Sequence, residues 1–472
     1  MASEKSGKSD DMNMRMRAGQ VVSPTAALTV YRPGDWGGAV VMPVFGAATY
    51  AFEKAVDGRH AFGCAYGLAA VIAATEDAAH GGPHAMEDIY ARLTTPNLRE
   101  TEKMLQRLER TGPGKDDEAD WALLFPSGMS AVTTLTQAAC HLPLAPGRPN
   151  GDMRRDVVIH DTPLYGGTHA YFYVLSRRAG LTHVPVNCRD PEALRRAFEA
   201  YGDRVGLVFF ETPANPTLTM ADIAAVRAAV NKAYAGKRRP PIAVDNTFMG
   251  VFQHPLELGA DVALYSATKF MGGHSDLIAG ALVGRNGATT LAGDFDGDVK
   301  EVPLFGALMT LRTVLGCTPA SGMAQQLWTH LKTYVPRMRN QSRNAQTVAE
   351  WLLHDAPNVR NVRFPSLFAG AEKELYERQC LGPSSIIAFE IVPGTPEAAE
   401  RFLNALEIVE RAVSLGSANS LVDWPRHWTH SDVPVPEQEA LGIGEGLIRL
   451  SVGHEDPADI IADLEQALNQ VI

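Results

Sequence analysis

The chain has 472 residues, 45% hydrophobic and 21% charged, enough apolar material for more than one compact lobe. Its net charge of −11 excludes the broad basic face that a nucleic acid or an anionic membrane would require. Five cysteines (Cys64, Cys140, Cys188, Cys317, Cys380) with no CxxC pair exclude a disulfide framework or zinc-finger spacing, and the longest apolar run, Leu68–Ala74, is too short to span a bilayer.

The start, Met1 to Gln20, is polar and lacks the apolar core of a signal peptide, so a cytoplasmic chain with an arm-like N-terminal segment (residues 1–95) is expected. The pair His80 and His84 has the i, i+4 spacing of zinc ligands, but Pro83 between them works against a shared helix face, and no metal is expected. From about Glu100, short apolar runs alternate with helical stretches. Strands are predicted at Trp121–Phe125, Asp156–His160, His183–Val186, Val205–Glu211, Pro241–Asp245, Val262–Ser266 and Ala279–Val283. Helices are predicted at Arg99–Arg110, Met129–Ala139, Pro191–Tyr201 and Ala221–Tyr234. Gly112–Asp120, rich in Gly and charge, reads as a surface loop. The alternation implies an α/β domain with a mostly parallel sheet over residues 96–316. Beyond Gly316 the pattern changes. Long helices (Ala324–Tyr334, Asn340–His354, Pro396–Leu406, Pro457–Val471) flank strands near Ser385–Ile391, Glu410–Ser414 and Leu447–Val452, which reads as a smaller α+β domain over 317–472.

The chemistry concentrates just past the predicted strands, where α/β folds bind their ligands. Val244-Asp245-Asn246-Thr247-Phe248 and Ser266-Ala267-Thr268-Lys269 pair a carboxylate with an amine. Pyridoxal 5′-phosphate (PLP) needs both: a lysine for its aldehyde and a carboxylate to keep its ring nitrogen protonated, so that the ring withdraws electrons from the substrate carbon. The hydroxyls of Ser266 and Thr268 suit a phosphate. Ser127-Gly128-Met129 sits at a strand-to-helix turn, where backbone N–H groups and the helix dipole favour phosphate; alone it reads equally as an ordinary N-cap. Tyr165, before Gly166-Gly167-Thr168, can stack on a flat ring, and Asn215, before Pro216, can hydrogen-bond the ring hydroxyl. A core tyrosine and an Asn-Pro turn are the plain alternatives.

Together these runs resemble the Cys/Met-metabolism PLP family, the trans-sulfuration enzymes, from about Ala39 to the C-terminus. The most specific stretch runs from Asp245 through Gly259-Ala260-Asp261 and Lys269 to Gly273-His274-Ser275-Asp276. Further matches are Asn344-Ala345, Phe364-Pro365, Ser414-Leu415-Gly416, Pro425 with Thr429-His430, and Arg449 through Gly453. The resemblance implies a fold-type I, aspartate-aminotransferase-like α/β architecture. It implies that Lys269 binds the cofactor and shuttles protons, Asp245 pairs with the ring nitrogen, and Tyr165 stacks and acts as acid or base. Gly128, Met129, Ser266 and Thr268 would hold the phosphate, Thr247 would sit beside them, and Asn215 would bond the ring oxygen. Arg449, with Ser414, would clamp the substrate α-carboxylate. Tyr90 and Arg92 would complete the phosphate site of a neighbouring subunit, making the active unit a homodimer or, as a dimer of dimers, a homotetramer with shared sites.

Several positions depart from the family pattern. The usual Asn-Pro-Thr reads Thr95-Pro96-Asn97, the stretch between Tyr50 and Tyr90 is longer than usual, and a common Glu is Asn419. Val413 stands where cystathionine-handling members often carry Glu, and Ala170 and Tyr171 stand where some carry Arg. A charged distal end of the substrate would lack partners, and burying it unpaired is costly. The expectation is therefore γ-elimination on a small sulfur- or oxygen-substituted amino acid such as methionine or an O-acyl-homoserine, giving α-keto acid and ammonia. Against methionine γ-lyase stands Gly167, where those enzymes usually carry Cys. γ-Replacement, as in cystathionine γ-synthase or homoserine sulfhydrylase, and cystathionine lysis are the alternatives. A transaminase and a non-catalytic scaffold on the same fold remain open.

Overall fold

The computed structural model describes residues 39–65, 88–109, 118–140, 155–178, 180–293 and 299–471. The N-terminal arm before residue 39, the apolar run Leu68–Ala74, the His80/His84 pair and most of the predicted Gly112–Asp120 loop lie outside them.

Seven strands form the main sheet: β1 (Trp121–Phe125), β2 (Val157–His160), β3 (Thr182–Pro185), β4 (Val205–Glu211), β5 (Ile242–Asp245), β6 (Val262–Tyr265) and β7 (Gly280–Gly284). Their order is β1-β7-β6-β5-β4-β2-β3. Only β7 runs against its neighbours, pairing antiparallel with both β1 and β6. The remaining six therefore end at one edge of the sheet. The apolar runs are continuous because both faces are covered. Leu123, Phe125, Val158, Leu207 and Phe209 enter one core, while Leu124, Ile159, Val208 and Phe210 enter the opposite one. Phe209 and Phe210 are both fully buried, and each such ring contributes roughly 2–3 kcal/mol by area.

The helices carry their own start signals. Asp190 caps Pro191–Tyr201 by accepting from Glu192 N, and Asp222 caps Ile223–Ala233 by accepting from Ala225 N. Thr95 caps Pro96–Leu108, with Pro96 at the first helical position. Here the departure Thr95-Pro96-Asn97 shows its use. Asn97 accepts from Phe45 N (2.9 Å) and donates to the Pro43 carbonyl (2.8 Å), tying the chain before the helix onto it.

A hairpin of β8 (Thr289–Gly293) and β9 (Val299–Pro303) and a helix Leu304–Val314 follow the sheet. The second sheet contains β10 (Val359–Arg363), β11 (Ile386–Ile391), β12 (Glu410–Arg411), β13 (Leu421–Asp423) and β14 (Leu447–Ser451), in the order β10-β11-β14-β13-β12. Three strands were expected there and five occur. β10 reads Val-Arg-Asn-Val-Arg, with an irregular register against β11, and β13 has only three residues, so neither shows an apolar run. The strand expected over Glu410–Ser414 stops at Arg411, and Ser414 lies in the loop that turns toward the first sheet. The helix Tyr334–His354 joins the two halves. Its start (Tyr334, Val335, Met338) packs into a core of the large sheet, and its end (Ala345, Val348, Leu352) packs into the core of the small one.

Candidate active site

Because β1, β2, β4, β5 and β6 end at one edge, the segments following them converge. Ser127 to Met129, Tyr165, Asn215, Thr247, Ser266, Thr268 and Lys269 all line a cavity of about 230 Å³. Gly128 lies against Ser266: a Cβ there would fall 3.0 Å from Ser266 Cβ. The backbone thus approaches closely at the start of the helix Gly128–Ala139, whose first N–H groups have no preceding turn to bond to. Ser127 caps that helix, accepting from Ser130 N at 3.0 Å. Thr247 Oγ1 accepts from Ser266 N (2.8 Å), and Thr268 Oγ1 both donates to the Ala279 carbonyl and accepts from its N–H. These hydroxyls lock the β5, β6 and β7 ends together.

Asp245 closes β5 and accepts from Thr247 N at 2.9 Å. Burial raises its carboxyl from the ordinary range to about 6, against the lowering effect of the Thr247 bonds. An enclosed carboxylate of this kind favours a cationic partner, which a protonated ring nitrogen supplies. Glu211, paired with Asp245 in register across β4 and β5, is raised well above the usual range by burial and then by Asp245. Its two oxygens accept from Tyr165 N (2.8 Å) and Asn215 N (3.3 Å), so one side chain anchors two cavity loops.

Lys269 Nζ donates to Ser414 Oγ at 2.9 Å. Burial, then the Arg449 cation, lowers its amine to about 8, partly opposed by Asp423. An amine titrating so low has a far larger neutral fraction near physiological pH than an ordinary lysine, and that fraction can attack an aldehyde. Tyr165 is 42% exposed with its ring bordering the cavity; burial of its phenol still raises its pKa. Gly167 leaves room for that ring. A Cβ there would fall 2.7 Å from Tyr165 Cε1 and 3.3 Å from Met129 Sδ.

The opposite wall comes from the second sheet. Arg449, 2% exposed, donates to Asn215 Oδ1 (2.8 Å) and the Ser414 carbonyl (3.4 Å) and pairs with Asp423 (3.0 Å). Its Nε has no partner. Val413 and Ile278, 62% and 65% exposed, form an apolar mouth.

The predicted residues Gly128, Met129, Tyr165, Asn215, Asp245, Thr247, Ser266, Thr268, Lys269, Val413 and Arg449 thus border one cavity, and Ser414 touches Lys269 from behind. Tyr90 and Arg92 do not join them. Arg92 stands over the Tyr90 ring at 5.5 Å and donates to the Thr313 carbonyl. Tyr171, read as bearing on the substrate, is buried in the core against Phe172. The π-helical turn Tyr171–Leu175 that follows Gly166–Ala170 carries it there. Glu211, Asp423, Thr429 and Ile278 were not singled out as site residues. Glu211 has a signal, an acid ending an apolar strand; Asp423 has none, since only strand register brings it to Arg449.

The cavity fits PLP in each of its requirements: a glycine-lined helix start, a buried carboxylate and a low-titrating lysine. The Cys/Met metabolism PLP-dependent enzyme family matches residues 25–469. An L-methionine gamma-lyase of Pseudomonas putida is 35% identical over 439 residues, covering 93% of this chain and 94% of that protein. A cystathionine gamma-lyase of Bos taurus is 37% identical over 380 residues, covering 80% and 83%. The crystal structure of a cystathionine gamma lyase from Micromonospora echinospora superposes with a TM-score of 0.74 at 31% identity, covering 95% of this chain and all of that one.

Proposed function

From the premise that this chain belongs to the Cys/Met metabolism PLP-dependent enzyme family, we propose that it catalyses γ-elimination on an uncharged, methionine- or homoserine-type amino acid. The carrying observation is the placement of Lys269, Asp245 and Arg449 around one cavity whose mouth, Val413 and Ile278, is apolar. PLP, when bound, supplies an aldehyde for amine chemistry and a ring that withdraws electrons from the substrate α-carbon. The chain's own residues do the rest. Asp245 holds a proton on the ring nitrogen. Gly128, Met129, Ser266 and Thr268 hold the phosphate end, with Thr247 bracing them. Asn215 faces the ring oxygen. Arg449 orients the substrate carboxylate with Ser414 nearby. Lys269 Nζ, aimed by Ser414, titrates close to neutral pH and so can take a proton from one carbon and return it to another. Tyr165 covers the ring and, with its phenol held protonated, can give a proton to the leaving sulfur or oxygen.

Release of ammonia and α-ketobutyrate from methionine without any added thiol is the expected result. Product only when a thiol or other nucleophile is present would sink the lyase reading. γ-Replacement is the second reading, favoured by Gly167, which brings no thiol to the cavity. Tyr90, 41% exposed, and Arg92 lie away from their own cavity, which supports a homodimer or homotetramer in which they serve a neighbouring site. Light scattering giving a monomer in the active enzyme would remove that part. The substrate is a small molecule, and a cytoplasmic enzyme suits the five free cysteines, which a reducing compartment preserves.

A further inference from the structure

Asp423 has no place in the chemistry above, yet it is among the most enclosed carboxylates of the described residues, 1% exposed. Its position follows from strand geometry. β13 and β14 pair antiparallel with Asp423 opposite Arg449 and Val422 opposite Leu450. Side chains alternate across a sheet, so Val422, Ile448 and Leu450 enter the apolar core while Asp423 and Arg449 share the other face. One oxygen of Asp423, Oδ2, accepts from Arg449 at 3.0 Å and from Thr429 Oγ1 at 2.6 Å. Thr429 itself borders the cavity, and its carbonyl fills the space a Cβ on Gly166 would take, next to Tyr165. Asn215 holds the other amino group of the guanidinium, and Nε is left unpartnered.

A guanidinium swings freely unless both ends are held, and a buried one without a counter-ion is costly. Asp423 meets both needs from behind, outside the cavity lining. We propose that Asp423 is a positioning residue for the substrate-carboxylate site: gripped by Asp423 and Asn215, the Arg449 guanidinium is held in one fixed orientation at the cavity wall where the substrate carboxylate binds. Thr429 shares the same oxygen, so the loop after β13 sets that orientation together with the loop bearing Tyr165. The proposal rests on Arg449 being the carboxylate clamp of an amino-acid enzyme.

The test compares methionine with 3-(methylthio)propylamine, its counterpart lacking the carboxylate, on PLP-loaded protein. Binding is read from the change in the visible cofactor band, independently of turnover. Asp423→Ala is expected to weaken methionine by about tenfold or more, the usual scale for a lost bond to a charged group, and to leave the amine unchanged. In steady state the loss falls on KM, with kcat little altered. Asp423→Asn, which keeps an acceptor, is expected to recover most of the affinity. If the alanine variant does not fold, Thr429→Val and Asp423→Asn carry the comparison, each with a smaller loss confined to methionine. Equal weakening of both ligands, or of neither, overturns the proposal. Wild-type protein that binds the amine as tightly as methionine refutes instead the clamp role of Arg449.

Discussion

The two walls of the cavity are built on different principles. The first is the carboxyl edge of the large sheet, where five parallel strands deliver five short loops, and each functional group lies within a few residues of its strand end. The second comes from the small sheet, where Arg449 projects from β14, backed by Asp423 on the paired strand β13, and Ser414 comes from the loop between β12 and β13. The first wall holds the groups suited to bond making and proton transfer, and the second those suited to holding a substrate. Damage to the first should appear mainly in turnover, and damage to the second mainly in binding.

The largest expected effect is at Lys269. Lys269→Ala should lose the visible band of the bound cofactor and reduce turnover by at least about 10³–10⁴-fold, the upper range for a positioned acid–base group. A variant that kept both band and activity would remove Lys269 from the chemistry. Next comes Asp245→Asn, expected to lower kcat by about 10²–10³-fold, the scale of a lost preorganised charge. It has a second signature without cofactor. The folded pKa of Asp245, about 6, lies above its ordinary 3.8. Below about pH 3 the group is neutral in both folded and unfolded chains. As pH rises toward 6, the unfolded chain ionises first, so the folded state loses stability. Cofactor-free Asp245→Asn should therefore melt higher than wild type above about pH 6, with the difference vanishing toward about pH 3. Equal melting curves at every pH would contradict the burial effect.

Arg449→Lys tests the second wall. Lysine cannot reach Asn215, Asp423 and a substrate together, so KM should rise roughly 10–100-fold with a smaller change in kcat. A kcat-only effect would dissolve the contrast between the walls. The smallest change is at the mouth. Val413→Glu should shift preference from methionine toward cystathionine by a few-fold, the modest range of a partly solvated charge, measured as a ratio of kcat/KM values. Lys269 also gives a pH profile. Since only the neutral amine attacks an aldehyde, cofactor capture by apo-protein should speed up as pH rises through about 8, where it is half-maximal, and level off above that.

The same contrast explains what could be read from sequence. β1 and β4 match their predicted spans, and the other strands of the large sheet differ by a residue or two, because strands buried on both faces write themselves as continuous apolar runs. Lys269, Asp245 and Tyr165 follow those runs directly and were legible with them. The small sheet was only partly legible. β13 is three residues long and β10 is rich in arginine, so neither has a pattern that distinguishes it from loop. Asp423 became visible only once β13 was set against β14. The placement of Tyr171 was missed for a related reason, since an α-to-π change of winding turns a side chain without altering residue order.

The helix Tyr334–His354 bears on how the molecule comes apart. Twenty-one residues long, it contributes Tyr334 and Met338 to one apolar core and Val348 and Leu352 to the other. Melting either core strips one end of this shared strut, and a helix with half its packing gone has little stability of its own. The two cores are thus thermodynamically linked, and calorimetry should record one endotherm where independent lobes would give two.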